Sequence, residues 1–150
     1  MRYHLQRSLF IARPREEVFA FFSDAFNLER ITPAFLRFHI LTPGPIAMRA
    51  GTLIDYELRL YGIRFQWQTL IEKYDPPSFF IDTQVRGPYR HWHHRHEFEE
   101  VLGGTQMHDV VEYELSFGLM GALLHALFVR RSVEKIFDYR NAVIAKIFAR

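Results

Sequence analysis

The sequence predicts an α+β protein in which a curved antiparallel sheet of seven strands wraps around one long C-terminal helix. No proline interrupts residues 118–150, and apolar residues recur there at steps of three and four, which places them on one face of an α-helix. Earlier residues alternate between apolar and polar positions and are divided by short turns, as in antiparallel strands. Because so long an apolar stripe needs a broad apolar partner, we expect the helix to lie in the concave face of the sheet. The alternative is a β-barrel with an appended helix, which the amphipathic stripe argues against.

Composition and charge narrow the class of protein. The chain has 150 residues, which suits a single domain (1–150) with a substantial core. A hydrophobic fraction of 49% with 16% aromatic residues indicates a packed globular protein. The net charge is only +2 and the basic residues are spread along the chain, which argues against a nucleic-acid partner. There is no cysteine, so disulfides, thiolate metal sites and a cysteine nucleophile are excluded.

Two features bear on the compartment. The first seven residues are polar and lack the apolar core of a signal peptide. The most apolar run, Leu119–Val129, is shorter than the roughly 20 residues that cross a bilayer. We therefore expect a cytoplasmic protein without stable membrane insertion, with a homodimer as a possible assembly.

The first strand is expected at residues 3–11, followed by two short helices. Pro14 lies near the first helical position, and Glu16 and Glu17 occupy the opening turn. A second helix is expected over 25–30. The six further strands are predicted at 35–41, 52–61, 63–73, 79–86, 89–101 and 105–117. In the last hairpin, a two-residue turn at Gly103-Gly104 would place Phe98 opposite Asp109, His96 opposite Val111 and His94 opposite Tyr113.

One face of this last hairpin is predicted to look towards the long helix. It carries Trp92, His94, His96, Phe98, Met107, Asp109, Val111, Tyr113 and Leu115, whereas the opposite face is mostly charged. Because buried polar groups need partners, we interpret His94, His96, Asp109 and Tyr113 as the best candidate site, in the wall of a cavity. These groups could simply satisfy one another in a core, orient the polar end of a ligand, or act in catalysis, with a histidine as general base and Asp109 orienting it.

A metal is a further hypothesis for the same residues. His94 and His96 share a face and could chelate an ion with Asp109, whereas His91 and His93 point the other way. No further ligand is recognisable, so we predict no metal. No cofactor is predicted, since nucleophile motifs, phosphate loops and cofactor fingerprints are all absent from the sequence.

Three other positions are noted. Trp67 shares a strand face with Phe65 and Ile71 and is either core or cavity wall. Arg140 lies in the helical stripe near Phe137, where it must meet an acid, a carbonyl or an anionic ligand, or else extend to the helix edge, the outcome we favour. The apolar run 119–128 is expected to be buried, with a cavity mouth that contacts a partner or a membrane as the alternative.

Several motifs together carry a family resemblance. They are Pro14-x-x-x-Val18-Phe19-x-Phe21-Phe22-x-Asp24-x-x-Asn27-Leu28-Glu29-x-Ile31-Thr32-Pro33, Phe80-x-Asp82-x-Gln84-x-x-Gly87-Pro88-Tyr89, Trp92-x-His94-x-His96-x-Phe98 and Asp109-x-Val111-x-Tyr113. The chain resembles the START-related, birch-pollen-allergen-like helix-grip superfamily (SRPBCC), in its bacterial branch near polyketide cyclases and dehydrases. The resemblance implies a deep, largely apolar cavity between sheet and helix, with no metal in most relatives. It also hints that Asp82 and Gln84 face the cavity, although alternation along their strand turns them outward; this conflict stays open at the sequence level.

The predicted function is binding or carriage of a small hydrophobic molecule with a polar end. The residues expected to contact it are Trp67, Trp92, His94, His96, Phe98, Asp109, Tyr113, Phe137 and Arg140. One alternative is a cyclase or dehydratase that uses the cavity histidines and Asp109. The other is a module that contacts a protein or membrane through the apolar start of the C-terminal helix.

Overall fold

A computed structural model describes residues 1–149, and it confirms the predicted class. Seven antiparallel strands form one sheet in the order β1-β7-β6-β5-β4-β3-β2. The strands are β1 (Arg2–Ile11), β2 (His39–Ile40), β3 (Leu53–Leu60), β4 (Ile63–Asp75), β5 (Phe79–Arg86), β6 (His91–Val101) and β7 (Gly104–Glu114). The helices are α1 (Arg15–Ser23), α2 (Asn27–Arg30), α3 (Gly118–Leu124) and α4 (Arg130–Ile147), with a π-helical segment (His125–Val129) joining α3 to α4. Arg150, the last residue of the predicted helical stretch, lies outside the described residues.

The strand predicted at 35–41 is mostly wrong. Residues Ala34–Leu36 form a 3₁₀ turn, and only His39 and Ile40 pair with β3. Arg37 ends the turn with φ 46°, a left-handed conformation outside the region of regular strands. The backbone N–H of Ile40 donates to Glu29 Oε1 at 2.9 Å, which ties the short strand to α2.

The predicted register of the last hairpin is wrong by two residues. The turn is formed by Leu102 and Gly103, and Val101 pairs with Gly104. Gly104 is therefore a strand residue, and its backbone lies close against β1. An added Cβ would sit 2.2 Å from the Ile11 carbonyl oxygen, so a side chain does not fit at this position. Gly103 takes the left-handed conformation that the turn needs, with φ 85°.

The inner face of the hairpin survives this error, because side chains alternate with a period of two and a shift of two residues keeps each one on its own side. The predicted inner residues in the middle of β6 and β7 are all buried, namely His94, His96, Phe98, Met107, Asp109, Val111 and Tyr113. The true register places His96 opposite Asp109 and His94 opposite Val111.

The last part of the helical stretch, α4, covers the inner face of the hairpin. Its buried residues, Val133, Phe137, Arg140 and Ile144, follow the predicted steps of three and four. Ile144 packs with Phe19, Phe22 and Phe98 between α1 and the sheet, whereas Val133 and Phe137 pack on Val111 and Tyr113. The helix therefore packs on two apolar clusters that share β1, β6 and β7.

The apolar start of the C-terminal helix is exposed, so the expectation of burial is wrong. Leu119 is 92% exposed. The other large apolar side chains that α3, the π-helical segment and the preceding residue leave exposed are Phe117, Met120, Leu123, Leu124, Leu127 and Phe128. Only Gly121 and His125 are buried here, and Gly121 approaches the Ser116 carbonyl so closely that a Cβ would lie 2.2 Å from its oxygen. Within residues 1–149, no helix is long and apolar enough to cross a membrane.

Candidate functional site

A cavity of about 170 Å³ lies between the inner face of the sheet and α4. Most of its wall is apolar and aromatic, including Phe22, Tyr56, Phe80, Tyr89 and Ile136. Polar side chains at the wall include Thr69, Asp82, His94, His96 and Arg140; Asp24, Asn27 and Thr32 also line it. The cavity thus combines a largely apolar surface with a cluster of ionisable groups on β5, β6 and α4, as small-molecule sites do.

The residues predicted to contact a ligand divide into two groups. Those that line the cavity are Trp67, Trp92, His94, His96, Phe137 and Arg140. The other three do not line it. Phe98 packs against Phe19 and Phe22, with ring centroids 5.2 and 5.5 Å apart, and Asp109 contacts His94 and His96. The Tyr113 hydroxyl shares a hydrogen bond of 2.7 Å with His125 Nε2, so Tyr113 belongs to a different polar pair.

Two imidazole–carboxylate pairs form the polar end of the cavity. His94 Nε2 lies 2.7 Å from Asp109 Oδ1, and His96 Nε2 lies 2.5 Å from Asp82 Oδ2. Since ionised carboxylates only accept hydrogen bonds, each imidazole donates through Nε2. The two imidazole rings lie against each other with centroids 3.6 Å apart. Strand pairing brings the four side chains together, because Asp82 is directly opposite His94 and His96 is directly opposite Asp109. The two hydrogen bonds run diagonally between these opposed positions.

Asp82 therefore faces inward, which resolves the conflict left by the sequence. Strand alternation suggested the opposite because the other face of β5 is richer in apolar residues. The hydrogen bond from His96 compensates for the burial of the carboxylate. The Gln84 side chain holds the loop between β5 and β6. Its amide donates to the Tyr89 carbonyl at 2.6 Å and accepts from the Tyr89 N–H at 3.0 Å.

The buried ionisable groups shift one another's pKa values. Burial alone would raise the pKa of Asp109, but the Arg140 charge and the His94 hydrogen bond outweigh burial and hold that pKa well below its usual range. Burial likewise acts to raise the pKa of Asp82, and the neighbouring His94 and His96 lower it instead. Burial and the His94 charge lower the pKa of His96 to about 4. At neutral pH both carboxylates are thus ionised and the His96 imidazole is neutral.

Arg140 is buried in the cavity wall, so the expectation that it extends to the helix edge is wrong. The residue is only 6% exposed. Its guanidinium carbon lies 5.5 and 5.8 Å from the ring centroids of Phe137 and Phe22. Within residues 1–149, its Nε has no hydrogen-bond partner and no carboxylate lies within 4.0 Å of its nitrogens. Among the same residues, the buried Trp67 Nε1 also has no partner. Two cavity-lining residues therefore hold unused donors.

Sequence reasoning did not single out Thr69 or His125, which are polar residues of the interior. Thr69 shares a hydrogen bond of 2.8 Å with the Tyr56 hydroxyl, and burial raises the pKa of Tyr56 far above its usual value. His125 bonds Tyr113 and stacks on Tyr3 with ring centroids 3.3 Å apart. One signal could have revealed His125, since it is the only polar side chain between Leu119 and Val129.

The sheet order, the covering C-terminal helix and the cavity between them define a helix-grip protein of the SRPBCC superfamily. Residues 11–135 match the family described as polyketide cyclase / dehydrase and lipid transport, and the chain belongs to this family.

Solved structures agree with this fold at low sequence identity. The chain is similar to TTHA0849 from Thermus thermophilus, with a TM-score of 0.72 and 18% identity over 96% of this chain and 99% of the other. It is similar to the ZhuI aromatase/cyclase from Streptomyces sp. R1128, with a TM-score of 0.69 and 15% identity over 98% and 96% of the two chains. It also resembles the major latex-like protein 151 of Panax ginseng, with a TM-score of 0.69 and 12% identity over 99% and 98%. No curated protein shows significant sequence similarity to the chain.

Proposed function

We propose that this protein binds or carries a small, mostly apolar molecule whose polar end accepts hydrogen bonds. The observation that supports this most directly is the largely apolar cavity between sheet and α4. Its wall includes Arg140 and Trp67, whose buried donors lack an acceptor in the part of the chain that the structure describes. A buried donor without an acceptor costs about 1–3 kcal/mol, and more when it is charged. A ligand oxygen within reach of Arg140 would remove that cost.

The size of the cavity suggests a ligand built on one aromatic ring or a similar group. An apolar cavity of about 150 Å³ takes up benzene, and this cavity measures about 170 Å³. Affinity would come from apolar contact, at about 25 cal/mol per Å² of buried apolar area. The polar groups would then select and orient the ligand.

A matched pair of ligands tests this proposal. Acetophenone and ethylbenzene have similar shapes, but only acetophenone carries a carbonyl acceptor. We expect acetophenone to bind at least tenfold more tightly in a calorimetric titration, because hydrogen bonds to charged groups contribute about 1.5–3 kcal/mol. Ile136→Phe places a larger side chain in the cavity wall and reduces the space for a ligand, so it should weaken binding of both ligands. Ile63→Phe, on the exposed hairpin between β3 and β4, should not. Equal binding by the two variants, or no binding of either ligand to the unaltered protein, would refute the proposal.

A second candidate function is an enzyme of the cyclase or dehydratase type. Here the specific observation is that His94 lines the cavity and its Nε2 is hydrogen-bonded to buried Asp109, so that Nδ1 is the ring nitrogen that would act as the base. Deprotonation next to a ligand carbonyl would be the proton transfer that such chemistry requires.

His94→Ala tests the enzymatic hypothesis. It should abolish turnover of an aromatic polyketide-type ketone while circular dichroism still shows a folded protein. His93→Ala, on the outer face of the same strand, is the matched control and should keep full activity. If His94→Ala turns over substrate at the original rate, His94 is not the base; if it is unfolded, the imidazole is a structural group.

A further inference from the structure

We propose that Asp82, His94 and His96 form a binding site for a divalent first-row transition metal, such as Zn²⁺, Co²⁺ or Fe²⁺, at the polar end of the cavity. This inference does not depend on the proposed function, because it rests on the geometry of these three side chains and not on the binding of an apolar ligand. The sequence suggested Asp109 as the carboxylate ligand and, with no further ligand recognised, led to a prediction of no metal. In the structure Asp82 supplies a carboxylate that alternation had turned outward.

The three side chains converge with ligating atoms towards one point. His96 Nε2 and His94 Nδ1 lie 2.5 and 3.7 Å from the same oxygen, Asp82 Oδ2. Candidate ligand atoms of the three residues all lie within 4.8 Å of one another. A tetrahedral ion with bonds of about 2.0–2.2 Å separates its ligand atoms by roughly 3.3–3.6 Å. A small rotation of the Asp82 carboxylate, whose side chain is 16% exposed, would open the shorter distance to this range.

An unsatisfied atom of His96 supports the metal-binding tautomer. In the hydrogen-bonded arrangement His96 donates from Nε2 to Asp82, and its buried Nδ1 has no hydrogen-bond partner among the described residues. Nδ1 lies 3.4 Å from Asp109 Oδ1. With a metal on Nε2, the ring proton moves to Nδ1 and can be donated to Asp109, so the orphaned atom gains a partner.

The same carboxylate also orients the second imidazole. His94 Nε2 donates to Asp109 Oδ1 at 2.7 Å, which leaves Nδ1 free for the ion. One buried Asp109 oxygen would then receive the N–H groups of both metal-binding histidines. Metal-bound histidines in proteins are typically held in this way by an outer carboxylate, which fixes the tautomer and the ring orientation.

Charge and access also suit a cation. Asp82 and Asp109 bring two carboxylates into the interior, and neither forms an ion pair within 4.0 Å with Arg140. A divalent ion between the pairs would offset negative charge that one guanidinium does not match. Asp82, His94 and His96 line the cavity and Asp109 does not, so the open coordination position faces the cavity. Two imidazoles and one carboxylate with an open position are a donor set for Zn²⁺ and Fe²⁺.

Cobalt titration tests the site in the intact protein. The protein is first dialysed against EDTA and then against buffer, and Co²⁺ is added while visible d–d absorption is recorded. We expect one Co²⁺ per chain, with a rise in melting temperature because the ion binds only the folded state. Zn²⁺ should displace Co²⁺ and bleach the bands.

Variants separate this site from other histidines. His96→Asn and Asp82→Asn should each weaken Co²⁺ binding at least 100-fold, and Asp109→Asn by about 10- to 100-fold, the usual effect of an outer-shell change. His93→Asn, on the outer face, should bind Co²⁺ like the unaltered protein. If His96→Asn fails to fold by circular dichroism, Asp82→Asn carries the comparison.

Two results would overturn the inference. One is Co²⁺ binding to the unaltered protein that is no tighter than binding to Asp82→Asn; the other is an equal loss in His93→Asn, which would assign binding to surface histidines. Acetophenone titrations on EDTA-treated protein run separately, so failure of the apolar ligand and failure of the metal site are distinguishable.

Discussion

His125 shows how one residue can connect an otherwise exposed segment to the interior. It is buried while its apolar neighbours Leu124 and Leu127 are exposed. Its Nε2 shares a hydrogen bond with the Tyr113 hydroxyl, and its ring stacks on Tyr3. Burial lowers the pKa of His125 and raises the pKa of Tyr113 to about 12. The environment of the pair therefore stabilises the neutral forms of both side chains.

At the residue scale, we predict that His125 makes the protein less stable in mild acid. An unfolded histidine has a pKa of about 6.5, and the folded His125 has a lower one. The unfolded chain thus takes up this proton first, so stability falls as the pH drops below about 6.5 and stops falling below the folded pKa. In urea unfolding at pH 7.5 and 5.5, His125→Gln should lose less stability than the unaltered protein, and His4→Gln on the surface should lose as much. Equal losses in all three proteins would contradict the prediction.

At the element scale, the C-terminal helix has two parts with opposite relations to the sheet. The α4 helix buries an amphipathic stripe, whereas α3 and the π-helical segment carry apolar side chains that extend into solvent. Apolar composition alone cannot separate these cases, because a residue is buried only if another element lies over it. The last strand, β7, ends at Glu114, and α3 begins at Gly118.

Two alanine substitutions in this helical stretch measure that difference. Ile144→Ala in α4 should cost about 2–5 kcal/mol, because it opens a cavity in a fully buried position. Leu123→Ala in α3 should change stability by less than about 0.5 kcal/mol, since its side chain is 54% exposed. The measurement is the free energy of unfolding in urea. A large cost for Leu123→Ala would show that the segment is covered in solution.

At the scale of the whole molecule, the first and last strands of the chain pair to complete the sheet. β1 pairs with β7 along its whole length, from Arg2 opposite Glu114 to Ile11 opposite Thr105. Thr105 Oγ1 also donates to the Arg13 carbonyl at 2.8 Å. The chain leaves β1 for α1 at this point, so the contact positions the helix that closes one end of the core.

Gly104→Ala should weaken this junction. The added Cβ would lie 2.2 Å from the Ile11 carbonyl oxygen, so the strands must move apart, at a cost of about 1–3 kcal/mol. Hydrogen exchange by mass spectrometry should show faster exchange in β1 and β7, with β3 and β4 unchanged as an internal control. Uniform protection equal to that of the unaltered protein would mean that the backbone absorbs the methyl group elsewhere.

Hydrophobic periodicity was enough to predict the order of the main elements, the inner face of the last hairpin and the buried stripe of α4, because it depends only on local geometry. It also brought His94, His96 and Asp109 to one face, since alternation survives a register shift of two residues. Only the folded structure shows which groups are in contact. Asp82 is hydrogen-bonded to His96, Tyr113 is hydrogen-bonded to His125 and not to the cavity histidines, and Arg140 is buried. These outcomes depend on strand register and on what covers each face, and both are set by contacts between residues distant in the chain.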